Sequence, residues 1–492
     1  MARPLKILMA SSEIHPYAKT GGLADVCQAL PKALAKLGQE VTLVMPYYGF
    51  IRNQNLKIEE AGEDVIIINK IKYPVKFRKT SFTPEISLYF IYNWQLFNNN
   101  RLYGYTDDNL RFMFFDLAVL KMIAKFNLKI DVIHCQDWHT GLIPNYLKKQ
   151  FSRLSPYKKI ATLFTIHNLP FQLQHNWWKV PKKFQDSGRN LPNVSRTERI
   201  QYINFTKRAL LNADLINTVS ERYAREILTP EFSQGLSHIL KMRKKDVFGI
   251  INGIDYSVFN PAFDPYIKNK YDWNSLDKKK KNKLCLQKEV GLEINPNIPL
   301  IGLVHRLTEQ KGFDLILKLM GFLLKMEVQF IIVGTGQKQY VKSFKKLTRR
   351  YPKKIALYSP FTDKMASQVY AGSDMFMMPS RYEPCGISQM ISLRYGSIPI
   401  VHETGGLSDT IIDFNPRTER GNGFVFSSYS KEDFLTAIIR ALETYKYRQT
   451  WEHLTWQAMR LSYSWEIPAK KYLALYYLAL KKLDKKIIHD LA

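Results

Sequence analysis

A chain of 492 residues exceeds one typical core, so two domains of about 200 to 250 residues each are expected. Cys27, Cys135, Cys285 and Cys385 are scattered with no CxxC pair, which argues against a disulfide framework or a zinc site, and no apolar run approaches the roughly 20 residues of a membrane span; a cytoplasmic protein with no membrane partner is expected. The formal charge of +29, from 72 Lys and Arg against 43 Asp and Glu, favours polyanions, but runs such as Lys278 to Lys281 and Lys342 to Arg350 lack interleaved aromatics, so they read as solvated faces and nucleic acid is not expected as a partner.

In chain order, a first strand over Leu5 to Ala10 leads into Lys19-Thr20-Gly21-Gly22. Val26, Leu30, Leu34 and Leu37 recur at helical spacing until Gly38, and Val41 to Met45 reads as the next strand. This is a βαβ opening without GxGxxG, in which the two glycines serve either the turn alone or an approaching phosphate, with Lys19 as a nearby cation. Residues 51 to 100 read as a β-rich excursion, and Arg111 to Phe126 as an apolar helix. Strands over Asp131 to Cys135 and Ile160 to Ile166 run into Gln136-Asp137-Trp138-His139 and His167-Asn168, which places polar clusters at strand C-termini like that of Lys19. Residues 171 to 205 read as irregular, followed by a helix through Leu211 and a strand from Leu215. The domain junction is expected near 245, giving domains 1–245 and 246–465, with a helix in 466–492 packing back on the N-terminal domain.

The polar, lysine-rich segment from Pro261 to Lys283 shows no clear periodicity. Alternation then restarts with strands over Pro299 to Val304, Gln329 to Val333, Ile355 to Tyr358, Met375 to Met378 and Ile398 to Val401. The fold class is α/β, two Rossmann-like domains facing a deep interdomain cleft. Arg306 and Lys311 stand five apart in a loop before a helix, where two fixed cations and helix amides suit a diphosphate. Glu383, Cys385 and Gly386 sit between strand and helix, and Thr404-Gly405-Gly406 reads as a second glycine loop. Glu383, His167, Asn168, Asp137 and Asn252 can bond a sugar directionally. No DxD metal motif accompanies these strand ends, and no carboxylate pair opposes across the site, since Ile391 stands eight residues after Glu383.

The combination of KTGGLADV at 19–26, DWHTGL at 137–142, TIHNL at 165–169, YAREI at 223–227, NGID at 252–255, RLTEQKG at 306–312, PSRYEPCG at 379–386, TGGLSDT at 404–410 and YSW at 463–465 resembles bacterial glycogen synthase and plant starch synthase over nearly the whole chain. The resemblance implies a GT-B fold and retaining transfer of glucose from ADP-glucose to the non-reducing end of an α-1,4-glucan, with no cofactor or metal. It implies catalytic roles for His167, Arg306, Lys311 and Glu383, and substrate binding by Lys19, Gly22, Asp25, Asp137, His139, Asn168, Asn252, Cys385, Gly386, Thr404, Gly405 and Gly406. The chain departs from the family pattern at Leu173, where a turn glycine is usual, at Arg208, also usually glycine, at His305, usually small, and at Ser367, often histidine.

Overall fold

The computed structural model describes residues 3–54, 56–174, 177–194 and 197–491, without the side chains of 177, 197 and 486–491. Part of the stretch read as irregular, at 175–176 and 195–196, lies outside the described residues. The chain divides into two units, Met1–Asn252 with Trp465–Ala492, and Gly253–Ser464.

In the first unit the strands are β1 (Lys6–Ala10), β2 (Glu40–Pro46), β3 (Glu59–Ile68), β4 (Ile71–Thr83), β5 (Ile86–Tyr92), β6 (Val132–Gln136), β7 (Ala161–Ile166), β8 (Leu215–Thr218) and β9 (Val247–Gly249). They form one sheet in the order β3-β4-β5-β2-β1-β6-β7-β8-β9. From β5 to β9 all pairs are parallel, and β3 and β4 add an antiparallel edge from the β-rich excursion. The central strands are apolar runs because helices cover both faces; Ile7 of β1 lies opposite Val41 and Val132, all three buried. The Gly22–Lys36 helix buries Val26, Leu30 and Leu34.

One boundary differs from the sequence reading. β9 completes the first sheet, so the first unit runs to Asn252, seven residues beyond the expected 245. The closing helix, Glu466–Leu491, belongs to this unit: Ala469, Tyr472 and Tyr476 enter its core, Tyr476 Oη lies 2.9 Å from His134 Nδ1, and Asn217 Nδ2 donates to Tyr472 Oη at 2.9 Å.

The second unit has β10 (Leu300–Val304), β11 (Gln329–Val333), β12 (Ile355–Tyr358), β13 (Met375–Met378), β14 (Ile398–His402) and β15 (Phe424–Phe426), in the all-parallel order β12-β11-β10-β13-β14-β15. The segment without periodicity contains a helix, Leu276–Glu289. Its inner face is built of Lys279, Asn282, Lys283, Leu286 and Gln287, so no apolar stripe marks it. Lys279 Nζ donates to the carbonyls of Ala371 at 2.9 Å and Ser373 at 2.8 Å, and Lys283 Nζ pairs with Asp374 at 2.6 Å. Their aliphatic stems pack inside, and the Lys279 amine caps the C-terminal end of the Asp363–Gly372 helix.

The residues that depart from the family pattern are absorbed by packing. Leu173 is buried with Val180 and Tyr202, and Ser367 is buried in the Asp363–Gly372 helix. Arg208, only 3% exposed, makes a bidentate pair with Asp186, both bonds 2.7 Å, and donates to Asn145 Oδ1 at 3.1 Å. The pair fixes the segment around Asp186 to the Phe205–Asn212 helix. Arg208→Ala leaves the Asp186 carboxylate without its cation, and is expected to cost about 3–5 kcal/mol in denaturant unfolding. A loss below about 1 kcal/mol would show that water replaces the guanidinium at no great penalty.

Candidate active site

In the first unit three strand ends converge. After β1, Glu13 is buried and gathers the following loop: Thr20 N and Oγ1 donate to its two carboxylate oxygens at 2.5 and 2.6 Å, Gly21 N donates at 3.3 Å, and Tyr103 Oη donates at 2.7 Å. This carboxylate shapes the turn that delivers Lys19 and Gly22 to the helix start. Lys19 is exposed and pairs with Asp25 at 2.6 Å, one turn into that helix.

After β6, Asp137 takes φ 61°, a left-handed conformation that a non-glycine residue holds only against strain. Its carboxylate accepts from the backbone amides of Trp138, His167 and Asn168, which ties the end of β6 to the end of β7. Burial pushes this carboxyl up to about 8, against the downward pull of those amides. His139 is stacked on Tyr103 at 4.4 Å and edge-on to Phe112 at 4.6 Å, and burial holds it well below the usual histidine range. His167 Nε2 lies 2.7 Å from Gln136 Oε1, which can only accept, so Nε2 carries the proton. Burial lowers its pKa to about 3, leaving a neutral imidazole at working pH. Among the described residues the side-chain oxygens of Asn168 and Asn252, and Nδ1 of His139, are buried with no hydrogen-bond partner.

In the second unit the ends of β10, β13 and β14 meet. Gly312 has φ 77°, and a Cβ there would lie 2.0 Å from Pro379 O, so only glycine lets the loop after β10 rest on the loop after β13. That contact brings Lys311 Nζ to 2.5 Å from Glu383 Oε2, with both side chains largely buried, and Ser380 Oγ donates to the same oxygen at 2.9 Å. Arg306, in the same loop, is exposed. Gln389 Nε2 braces the next turn by donating to the carbonyls of Gly386 at 2.9 Å and Cys385 at 3.2 Å. His305 is buried, with Nε2 3.1 Å from Met377 O.

The second glycine loop is corrected by the structure. Gly405 and Gly406 open a helix, Gly405–Thr410, with Thr404 at its N-cap position. A Cβ on Gly405 would lie 2.0 Å from Glu383 O, and Gly406 N donates to that same oxygen at 3.1 Å. The glycines therefore serve first to seat this helix on the Glu383–Cys385 backbone, and the amides of Gly406 and Leu407 are spent inside the protein. The hydroxyls of Thr404 and Ser408 are buried without a hydrogen-bond partner among the described residues.

Within each unit, most of the residues singled out from sequence are thus brought together. The first gathers Asp137, His139, His167 and Asn168, and pairs Lys19 with Asp25; the second gathers Lys311, Glu383, Cys385, Gly386, Thr404, Gly405 and Gly406. Sequence reasoning assigned no role to Glu13, Gln136 or Ser380, which hold other residues in place. Each stands within a few residues of a recognised motif, and nothing but three-dimensional contact distinguishes it.

Burial also makes a statement about stability. His134 and His305, both buried, have pKa values lowered to about 3, chiefly by burial. Above pH of about 6.5 neither folded nor unfolded chain protonates them, whereas between about 6.5 and about 3 only the unfolded chain does. Stability is expected to fall as pH falls through that window, by roughly 2 kcal/mol per histidine between pH 7 and pH 5. Denaturant midpoints at those two pH values check it; equal midpoints would contradict the expectation.

The starch synthase catalytic domain family matches residues 6–242, and the glycosyl transferases group 1 family matches residues 287–453. The chain is 42% identical to a glycogen synthase of Geotalea daltonii, covering 97% of this chain and 99% of that one, and 42% identical to a glycogen synthase of Clostridium kluyveri, covering 96% and 99%. Among solved structures, the catalytic domain of starch synthase IV from Arabidopsis thaliana, bound to ADP and acarbose, superimposes with a TM-score of 0.87 at 29% identity over 98% of this chain and all of that one. A sucrose-phosphate synthase from Thermosynechococcus elongatus, at 18% identity and TM-score 0.61 over 96% of this chain and 98% of that one, shares the fold. Two parallel-sheet units with a GT-B architecture, and full-length likeness to these enzymes, place the chain in the glycogen synthase and starch synthase family of glycosyltransferases.

Proposed function

We infer that the protein transfers glucose from ADP-glucose to the non-reducing end of an α-1,4-glucan with retention of configuration. The observation that carries this reading is the Lys311–Glu383 pair where the ends of β10 and β13 meet, with Arg306 exposed in the loop that carries Lys311. In this reading Arg306 and Lys311 take up the charge that develops on the departing diphosphate, a task fixed cations perform without a metal. Glu383, with Cys385 and Gly386, orients the glucosyl group. The neighbours of Glu383 support orientation over nucleophilic attack, because its carboxylate is held by a cation and a hydroxyl. The neutral His167, the backbone it carries, Asn168, Asn252 and Asp137 then face the sugar and acceptor, where unpartnered amide oxygens at Asn168 and Asn252 await donors. Lys19 contributes a cation to the donor phosphates, and Thr404 its hydroxyl.

The acceptor hydroxyl attacks on the face from which the nucleotide departs, the leaving phosphate takes its proton, and the α configuration is kept. Transfer to glycogen should be faster from ADP-glucose than from UDP-glucose, should persist in EDTA, and should give new α-linkages by NMR. Folded protein that transfers from neither donor would sink the reading. Turnover without lengthening of maltooligosaccharides would point to another acceptor on the same fold.

A further inference from the structure

A line of buried polar groups in the first unit runs from the closing helix to His167. His134 and Gln136 stand two apart on β6 and so share one face of the sheet. Gln136 bridges two imidazoles: its Oε1 accepts from His167 Nε2 at 2.7 Å, and its Nε2 donates to His134 Nε2 at 3.0 Å. The Thr165 hydroxyl, which accepts from Asn217 Nδ2 at 3.3 Å, lies 2.7 Å from the same His134 nitrogen. On the far side of the ring, His134 Nδ1 lies 2.9 Å from Tyr476 Oη of the Glu466–Leu491 helix. Tyr472 and Tyr476 also flank that ring, with centroids 5.4 and 5.6 Å away.

Burial gives the line a direction. His134, Gln136, Thr165 and Tyr476 have no exposed surface, whereas His167 at its end is half-buried. Burial also keeps both imidazoles neutral, so each holds one proton and one lone pair. A carboxamide accepts at one end and donates at the other, so the orientation of Gln136 settles both rings. His134 accepts at Nε2, keeps its proton on Nδ1 and donates to Tyr476 Oη. His167 keeps its proton on Nε2, and its Nδ1 is left as an acceptor with no side-chain partner among the described residues. No member can reverse alone, because two donors would then face each other in a dry interior and leave a buried group unpaired. Apolar side chains would fill this part of the core at no such risk; what the polar ones add is control of the half-buried ring at their end.

We propose that Gln136, His134 and Tyr476 are positioning residues for His167: acting in series, they fix its ring and hold its proton on Nε2, so that Nδ1 meets the sugar only as an acceptor. The closing helix thereby becomes part of the apparatus of the first unit's site. Loss of the Tyr476 hydroxyl frees the His134 proton to move to Nε2, the Gln136 carboxamide must then turn over, and His167 exchanges its proton for a lone pair. The proposal rests on the reading that His167 faces the glucosyl unit, but the tautomer is a property of the free protein and is read without substrate.

The test uses the full-length protein labelled with ¹⁵N-histidine and long-range ¹H–¹⁵N correlation of the ring nitrogens. His167 is identified among the 10 histidines by the signal missing in His167→Gln. Wild type should show His167 protonated on Nε2 and His134 on Nδ1. Gln136→Met removes the bridge, and Tyr476→Phe removes the acceptor of the His134 proton while keeping the packed ring. In both variants His167 should become a mixture of the two tautomers. The kcat for glucosyl transfer should fall by about ten-fold in Gln136→Met, the scale of one hydrogen bond, and by less in Tyr476→Phe. Wild-type His167 protonated on Nδ1, or an unchanged His167 tautomer in both variants, would overturn the proposal, even where thermal midpoints drop, since the line would then serve packing alone. A shifted tautomer with unchanged kcat would overturn it as well. Should neither nucleotide sugar support transfer, the proposed function falls, while the tautomers of the three proteins still decide whether the line governs His167.

Discussion

Lys311→Ala is expected to lower kcat by about 10²–10³-fold, the usual cost of removing one preorganised group that stabilises developing charge. The same substitution has a second consequence, because Lys311 is also the buried cation of Glu383. Its loss leaves a carboxylate that is 6% exposed with the Ser380 hydroxyl as its donor, and stability should fall by about 3 kcal/mol. The two consequences separate in the double variant Lys311→Ala, Glu383→Gln. Neutralising the carboxylate should restore most of the stability, since no uncompensated charge remains, while activity stays low for want of the cation. Denaturant unfolding and initial rates on the same four proteins complete the cycle. Recovery of activity together with stability would show that Lys311 acts only by holding Glu383.

How much of this was legible in the sequence depends on what each residue does. The parallel strands β1, β6, β7, β10 and β13 announce themselves as short apolar runs because both faces of a covered sheet must be apolar. The loops after them were legible for a related reason, since polar residues and glycines at strand ends stand out against those runs. Gly405 was found for an incomplete reason: a Gly-Gly pair reads the same whether a ligand or another loop approaches, and here Glu383 O is the neighbour. The Leu276–Glu289 helix was invisible because lysines capping carbonyls carry no apolar period. Glu13 was equally silent, since its work is to accept amides from residues seven and eight positions on, a geometry that only the folded loop defines.

Gly405→Ala should show what the close approach is for. At φ 44° the alanine carries the left-handed penalty of about 1–2 kcal/mol, and its methyl group would meet Glu383 O at 2.0 Å, a backbone atom that cannot yield as a side-chain tip would. The loop after β13 must then move off the Gly405–Thr410 helix, breaking the bond from Gly406 N and displacing the carboxylate that pairs with Lys311. A shift of about 1 Å at a positioned group is enough to cost roughly 100-fold in rate, so kcat should fall by that order with a measurable loss of stability. Two comparisons isolate the cause. Gly321→Ala lies inside the Phe313–Leu323 helix with open space around its Cβ, and should stabilise by about 0.5–1 kcal/mol at unchanged rate. Gly21→Ala also meets open space in an extended backbone, so the fold should be untouched; if the Lys19 loop approaches the donor phosphates, its methyl group raises KM for the nucleotide sugar alone. A Gly405→Ala protein with wild-type rate and midpoint would mean that the loop after β13 tolerates displacement, and that Glu383 is held in register by Lys311 and Ser380 alone.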